Sequence, residues 1–251
     1  MTEPKLYGTV LIKAKEILDF ILSSTRPPTL LDISQGVDQS KPTVLKILTT
    51  LSALNFVRRD DDTKRYYLGT QLLAYADKAL TSFDIRSVAL PDLTQLRDRT
   101  GETINLGVLA NNRIALIDKL ESSSSIKLKS IVGGTMNMYS SAMGKALLAQ
   151  YTPEQLDDYL AANKLQPLTT NTIVTQAALR QNLKQIQQVG ISIDDEENEP
   201  EVFCIGVPLM KDNQIYGAFS VSTPKYRIDT TRQKELIHLI LNTQRKIEQQ
   251  L

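Results

Sequence analysis

The chain has 251 residues, of which 41% are hydrophobic and 23% charged, so it can bury a core and is not disordered by composition. A single cysteine, Cys204, excludes an intrachain disulfide and a multi-cysteine zinc site. A single histidine, His238, argues against metal-dependent hydrolysis and Ser-His-Asp catalysis. The net charge of +1 favours no class of partner. No apolar run is long enough to span a bilayer and the first residues do not resemble a signal peptide, so we expect a cytoplasmic protein with no membrane partner.

The first 55 residues predict three short helices. Residues 9–23 place apolar side chains on one helical face, and two prolines at 27 and 28 end that helix. A second short helix follows over residues 30–37. Ser40 is a good N-cap for the third helix, which tolerates Pro42 in its first turn. The third helix has an apolar face, which is expected to be buried, and an opposite polar face. The apolar positions are Val44, Ile47, Leu48, Leu51 and Leu54. The polar positions include Lys41, Thr43 and Lys46.

A β-hairpin is predicted directly after these helices. Residues 56–59 and 65–68 flank a polar loop, and Gly69 ends the second strand. Three helices followed by a hairpin indicate a winged helix-turn-helix, in which the last helix enters the DNA major groove and the hairpin contacts phosphates or the minor groove. An ordinary helical subdomain with a charged hairpin would give the same spacing. If the module binds double-stranded DNA, the contacting residues are expected to be Ser40, Lys41, Thr43 and Lys46 of the helix and Arg58, Lys64 and Arg65 of the hairpin.

The rest of the chain predicts an α+β domain with an antiparallel sheet, because strand hairpins alternate with helices. A helix over residues 70–82 leads into it. Asn111-Asn112 marks a hairpin between two apolar runs. The predicted strands are 103–109, 114–120, 126–132, 191–193, 202–210 and 215–223, and the predicted helices are 141–151, 153–163, 176–189 and 229–250.

Four features of this second part are candidates for ligand-binding or catalytic residues. The segment Ser141–Gly144 opens a helix whose first N–H groups have no internal partner, which suits an anion, although a closely packed capped helix would look the same. The acidic run Asp194–Glu199 reads by default as a solvated loop. Cys204, in an apolar strand, is either a small core residue or a reactive thiol. Ser220 and Ser222 point to one face of their strand and are better pocket candidates together than alone.

Several motifs, in order along nearly the whole chain, resemble the IclR family of transcriptional regulators. They are Leu30–Leu48, Arg65-Tyr66-Tyr67-Leu68-Gly69, Thr100–Thr103, Ser141–Ala149 and Asp194–Pro200. At Lys46 family members often have arginine, and lysine lacks the planar fork that contacts guanine bidentately.

The resemblance implies a two-domain α+β protein without a cofactor or metal. A winged helix-turn-helix would occupy residues 6–69, a linker helix 70–83, and a GAF/PAS-like effector-binding and oligomerisation domain 84–251. Such proteins are mostly repressors that bind operator DNA as homodimers, and two dimers can form a tetramer. The resemblance also implies a small carboxylate effector, a 2-oxo or related acid, in a pocket that Met136, Met138 and Tyr139 help to shape; its binding residues would be the backbone of Ala142, Met143 and Gly144 and the side chains of Asp194, Cys204, Ser220 and Ser222.

Two questions remain open at this stage. Cys204 could instead serve a cysteine-dependent enzyme or a redox sensor, but such an enzyme needs a nearby base, and His238 lies on a helix whose apolar face looks like a packing surface. Asp194 could accept a hydrogen bond from a ligand hydroxyl or a backbone amide, whereas facing a carboxylate directly would require it to be protonated.

Overall fold

The computed structural model describes residues 7–80, 84–122 and 129–251, and the chain divides between residues 82 and 83 into two compact units. None of the helices in these ranges combines the length and the apolar character that a membrane span requires.

The first unit is the predicted arrangement of three helices and a hairpin. Its core is formed by apolar side chains from the three helices and the hairpin; Ile17, Ile33, Val44, Leu48, Val57 and Tyr66 are all almost fully buried. The elements are α1 (Thr9–Ser23), α2 (Leu30–Gly36), α3 (Lys41–Ala53), the antiparallel strands β1 (Val57–Arg59) and β2 (Tyr66–Leu68), and α4 (Gln71–Leu80).

The start of α2 is fixed by its own sequence. The Thr29 amide donates to the Asp32 carboxylate at 2.9 Å, and the Asp32 amide donates back to the Thr29 hydroxyl at 3.3 Å. This capping box satisfies two helix-start donors and follows directly on the two prolines that end the preceding segment.

The second unit is an α+β domain built on one six-stranded antiparallel sheet, with the strand order β5-β4-β3-β8-β7-β6. Helices α5 and α9 pack against each other, and α6 packs against β6, β7 and β8. The strands are β3 (Thr103–Ala110), β4 (Arg113–Leu120), β5 (Thr135–Asn137), β6 (Ser192–Asp195), β7 (Val202–Lys211) and β8 (Gln214–Pro224); the helices are α5 (Asp84–Thr100), α6 (Ala142–Leu148), α7 (Pro153–Ala162), α8 (Gln176–Val189) and α9 (Thr230–Gln250).

Two elements differ from the sequence prediction. The predicted strand over 126–132 is wrong for residues 129–132, which are irregular, while residues 126–128 lie outside the described ranges. Gly133 has a positive φ of 84° inside a turn that begins at Ile131, and the strand that follows, β5, pairs in register with β4 over Thr135–Asn137. Helix α5 was not predicted, because Pro91 and many charged residues hide its buried positions.

Two glycines bring α6 into direct backbone contact with its surroundings. A Cβ atom on Gly206 of β7 would lie 2.7 Å from the carbonyl carbon of Ala142. A Cβ atom on Gly144 would lie 2.2 Å from the Cα of Met138. Since neither position has room for a side chain, the first turn of α6 rests on the sheet itself.

Candidate functional site

The polar face of α3 is accessible and contains the predicted residues. Lys41 and Lys46 are exposed and Thr43 is half-buried. Ser40 is the N-cap of α3, as predicted, but its hydroxyl contacts the Thr43 hydroxyl at 2.9 Å rather than a backbone amide. The two lysines and this hydroxyl pair form a continuous polar surface at the start of the helix.

The hairpin residues divide into two kinds. Arg58 and Lys64 are exposed, and the Arg58 guanidinium lies 4.0 Å from the centre of the Tyr67 ring. Arg65 is half-buried, and its Nη1 donates to the carbonyl oxygen of Pro27 at 2.5 Å. Arg65 therefore anchors the hairpin to the segment before α2, whereas Arg58 and Lys64 project from it.

The loop of the hairpin is acidic as well as basic. Asp60 accepts hydrogen bonds from the Thr63 hydroxyl and the Thr63 amide, both at 2.7 Å. These bonds, led by the one from the hydroxyl, hold the pKa of Asp60 below its usual range. Asp60 is thus committed to shaping the turn that presents Lys64, which has a positive φ of 57°.

In the second unit, two rows of small and polar residues cross one face of the sheet. Cross-strand partners in an antiparallel sheet lie on the same face, and so do residues two apart in one strand. Ser220 and Ser222 therefore share a face, as predicted. One row runs Asp194, Cys204, Ser222 and Thr103, and the next runs Ser192, Gly206, Ser220 and Asn105.

The first turn of α6 covers these rows and leaves a cavity between helix and sheet. Six of the seven predicted effector residues line it: Ala142, Met143, Asp194, Cys204, Ser220 and Ser222. Gly144 does not line it, because its amide donates to the Ser141 hydroxyl at 3.2 Å. Its role in this geometry is the close approach to Met138 described above.

Hydrogen-bond donors converge on this cavity from separate parts of the chain. Among the described residues, nothing accepts from the amides of Ala142 and Met143, and the hydroxyl of Ser220 has no partner. The oxygen of Ser222 already accepts from Asn105 Nδ2 and from Cys204 Sγ, both at 3.1 Å, so its own proton is free to donate. Four donors thus face a space that suits an acceptor such as a carboxylate oxygen.

The sequence left two hydrogen-bond donors open for Asp194, a ligand hydroxyl or a backbone amide, and the structure shows backbone amides. Its Oδ1 accepts from the backbone amides of Glu197 at 2.8 Å and Asn198 at 3.1 Å, which shapes the loop after β6. Burial raises the pKa of Asp194 to about 7, against the opposing effect of these two bonds. Asp194 therefore changes charge near neutral pH at the edge of the cavity.

A buried ion pair joins α6 to the same loop. The side chain of Lys145 is fully buried, and its Nζ contacts Glu197 Oε1. The other carboxylate oxygen of Glu197 is buried and has no hydrogen-bond partner among the described residues. The pair ties the helix that offers the free amides to the loop that Asp194 shapes.

Sequence reasoning missed several residues of this cavity. Asn105 connects two others, since its Nδ2 donates to Ser222 and its Oδ1 accepts from the Ser130 hydroxyl at 3.1 Å. The sequence did hold one signal for Asn105, because its side-chain amide is a single polar group within a strand that was predicted to be buried. The remaining missed lining residues, Ser130, Asn198, Glu199 and Val202, lie in loops or at a strand start, where no periodicity marks them.

The surroundings of Cys204 do not support a catalytic thiol. The half-buried residue lines the cavity, and burial raises the pKa of its thiol. Its described hydrogen-bond partner is the Ser222 hydroxyl, which is not a base. His238 is exposed on α9, where its ring contacts Asn242.

Comparison with known proteins decides the family. The profile of the IclR helix-turn-helix domain matches residues 10–61, and that of the bacterial transcriptional regulator IclR C-terminal domain matches residues 77–249. The chain belongs to the IclR family of transcriptional regulators. The DNA-binding transcriptional repressor YiaJ of Escherichia coli is 33% identical over 229 residues, which are 88% of this chain and 80% of that protein.

Solved structures show the same fold. The crystal structure of Thermotoga maritima IclR is 32% identical, has a TM-score of 0.81, and covers 98% of this chain and 99% of its own. An IclR homologue from Microbacterium hydrocarbonoxydans, solved in complex with 4-hydroxybenzoate, is 21% identical with a TM-score of 0.79 and covers 96% of this chain and 98% of its own. As an IclR-family member, this protein is a DNA-binding transcriptional regulator, and the family is one of regulators rather than enzymes.

Proposed function

We propose that this regulator is a cytoplasmic repressor that binds a palindromic operator as a homodimer and responds to a small carboxylic acid. The observation that carries the effector part is the set of four donor groups, two amides and two hydroxyls, whose protons have no acceptor among the described residues and which line one cavity. A buried polar group without a partner is costly, so donors from separate segments that share an empty space are the mark of a binding site. The repressor YiaJ supports the direction of regulation.

On DNA, α3 supplies the sequence-reading contacts in this proposal. Ser40, Lys41, Thr43 and Lys46 reach base edges and neighbouring phosphates, while Arg58 and Lys64 contact phosphates. Arg65 contributes chiefly by holding the hairpin in place, since part of its guanidinium is committed to Pro27. One helix-turn-helix reads few base pairs, so two copies on successive turns of the duplex are needed for specificity, and two dimers would form the tetramer.

In the effector cavity, the carboxylate oxygens accept from the amides of Ala142 and Met143 and from the hydroxyls of Ser220 and Ser222. Cys204 orients the Ser222 proton, and Asp194 holds the loop that closes one side. A 2-oxo or related acid satisfies this donor set. The Microbacterium homologue, whose ligand 4-hydroxybenzoate is also a carboxylate, agrees with this class of effector.

The experiment begins with a thermal-shift screen of the full-length protein against small organic acids, in which a ligand at 100 times its Kd stabilises by about 2.7 kcal/mol. The best acid is then titrated calorimetrically with and without operator DNA. We expect the two affinities to differ about 5- to 150-fold, and DNA affinity to shift by the same factor. Equal affinities would refute a regulatory role for the ligand.

A matched pair of variants tests the site itself. Ser220→Ala with Ser222→Ala should weaken binding of the acid and leave DNA binding without the acid unchanged. The control is Ser87→Ala, an exposed serine on α5 that bonds only within its own helix. If the double variant binds the acid as tightly as the control does, the carboxylate lies elsewhere.

A further inference from the structure

The cavity has a neighbour. A second, more open cleft lies beyond it and is lined by Leu116, Ile131, Gly134 and Thr135. The two spaces share four wall residues, Ser130, Met136, Asn198 and Glu199. These four residues form the partition between an inner compartment, the cavity, and an outer compartment, the cleft.

The volumes of the two compartments are unequal. The inner cavity has a volume of about 50 Å³ and the outer cleft about 280 Å³. The inner cavity is therefore the smaller of the two by more than fivefold, which suits the carboxylate end of an acid rather than a long chain. A longer acid is expected to extend past the partition.

Most of the outer cleft is held rigidly. The Gly133 amide donates to the Leu116 carbonyl at 2.8 Å, the Leu116 amide donates to the Gly134 carbonyl at 2.9 Å, and the Gly134 amide donates to the Ile131 carbonyl at 2.9 Å. These bonds fix the turn that forms one wall to strand β4. Across the cleft, Asn198 is held by Asp194 and by the Ser140 hydroxyl.

Met136 is the adaptable part of the partition. Its side chain is half-buried and unbranched with three rotatable bonds, so it can move without a change of backbone. Lys129, which also lines the outer cleft, pairs with Glu199 of the partition at 3.2 Å, so these two charges offset each other. The outer cleft thus offers apolar and hydroxyl contacts and favours a neutral chain.

We propose that the effector is an elongated acid whose carboxylate lies in the inner cavity and whose neutral chain extends past Met136 into the outer cleft. Met136 is then the residue that sets the accepted chain length. This inference rests on the proposed carboxylate site and adds the size class of its ligand.

The test is a calorimetric titration of the full-length protein with straight-chain 2-oxo acids from glyoxylate, with two carbons, to 2-oxohexanoate, with six. In the unmodified protein each methylene that enters the outer cleft should tighten binding about fourfold. Met136→Ala should raise the affinity for the six-carbon acid more than the affinity for glyoxylate. Met136→Phe should lower the affinity for the six-carbon acid about tenfold or more, with a smaller effect on glyoxylate.

Controls separate this effect from a loss of folding. Met210→Ala removes the same side chain from a half-buried position that lines neither compartment, so the chain-length profile should stay as it is. Ile131→Ser alters only the outer cleft, at a position that is 55% exposed, and should weaken the longer acids alone. Val189→Ser, at a residue that is 61% exposed on α8, is its matched control.

The outcomes distinguish the two proposals. If the unmodified protein binds none of the acids, the carboxylate site is refuted, and the two-compartment inference falls with it. If it binds them but affinity does not rise with length, or all Met136 and Ile131 variants keep the same profile, the carboxylate site stands and the two-compartment inference is overturned.

Discussion

Lys41, Lys46 and Lys64 of the DNA-binding unit are exposed, whereas Asp194, Ser220 and Ser222 of the effector unit are at most 4% exposed. An exposed cation is solvated and needs no partner, so the first unit only has to display it on a rigid frame. A buried polar group needs a partner or a ligand, so the second unit has to build a network around each one. The proposed DNA-binding surface is thus set by local sequence, and the proposed effector cavity by contacts between distant segments.

The sharpest way to test this contrast is to break one ion pair in each unit. Glu197→Gln leaves the fully buried Lys145 ammonium without a counter-charge and should destabilise the effector unit by about 3–5 kcal/mol. Asp19→Asn removes the partner of the exposed Lys15 and should change stability by less than about 1 kcal/mol. Urea unfolding of the full-length protein measures both.

A double variant shows whether the large effect comes from the stranded charge. Lys145→Met combined with Glu197→Gln should recover most of the lost stability, since no buried charge then remains. Equal effects of Glu197→Gln and Asp19→Asn would contradict the contrast between the units.

A second comparison uses one glycine from each unit. Gly144→Ala places a methyl group 2.2 Å from the Met138 backbone, which cannot move away alone, and should cost about 3 kcal/mol. Gly36→Ala meets the ring of the half-buried Phe20, which can rotate aside, and should cost distinctly less. Thermal unfolding of the two variants gives the ranking, and the reverse order would show that the start of α6 is not rigidly seated.

The buried carboxyl of the effector unit should also make stability depend on pH. An unfolded aspartate has a pKa near 3.9 and folded Asp194 one of about 7, so the folded state holds this proton more tightly. Its contribution is fully present below about pH 4 and is lost as pH rises to about 7, by about 1.4 kcal/mol per unit.

The variant Asp194→Asn isolates that contribution, because an amide oxygen still accepts from Glu197 and Asn198 and the neighbouring Glu197, Lys145 and Glu199 are unchanged. Relative to this variant, the unmodified protein should lose stability between about pH 4 and 7. Asp195→Asn, at the neighbouring and more exposed partner of Lys225, is the control. Parallel pH profiles for all three proteins would show that Asp194 ionises as freely as in an unfolded chain.

The smallest expected effect is in the DNA-binding unit. Lys64→Ala removes one phosphate contact and should reduce the slope of log affinity against log salt by about 0.9 without altering base preference. Thr43→Val should change base preference with little effect on that slope. Fluorescence anisotropy with operator variants at several salt concentrations measures both base preference and salt slope. If Lys64→Ala changed base preference and Thr43→Val changed the salt slope, the assigned roles would be reversed.

The same contrast explains which features were predictable from sequence. Helices α1 to α3 and the hairpin follow from periodicity, prolines and caps, all within a few residues of one another. The shared face of Ser220 and Ser222 follows from strand alternation alone. Asn105 and Asn198 could not be placed, because their role depends on which strands become neighbours. The need for glycine at Gly206 arises from the backbone of Ala142 and Met143, which are more than sixty residues earlier in the chain.

The bond from Arg65 to Pro27 bears on the energetics of DNA binding. It ties the hairpin to the turn before α2, and α3 packs against β1, so α3 and the hairpin keep a fixed separation before any DNA is present. The conformational entropy of ordering the hairpin is therefore lost when the protein folds and not when it meets DNA. We therefore expect a duplex to need its groove and phosphates at the matching distance, so that the shape of the double helix contributes to selection at base pairs that no side chain touches.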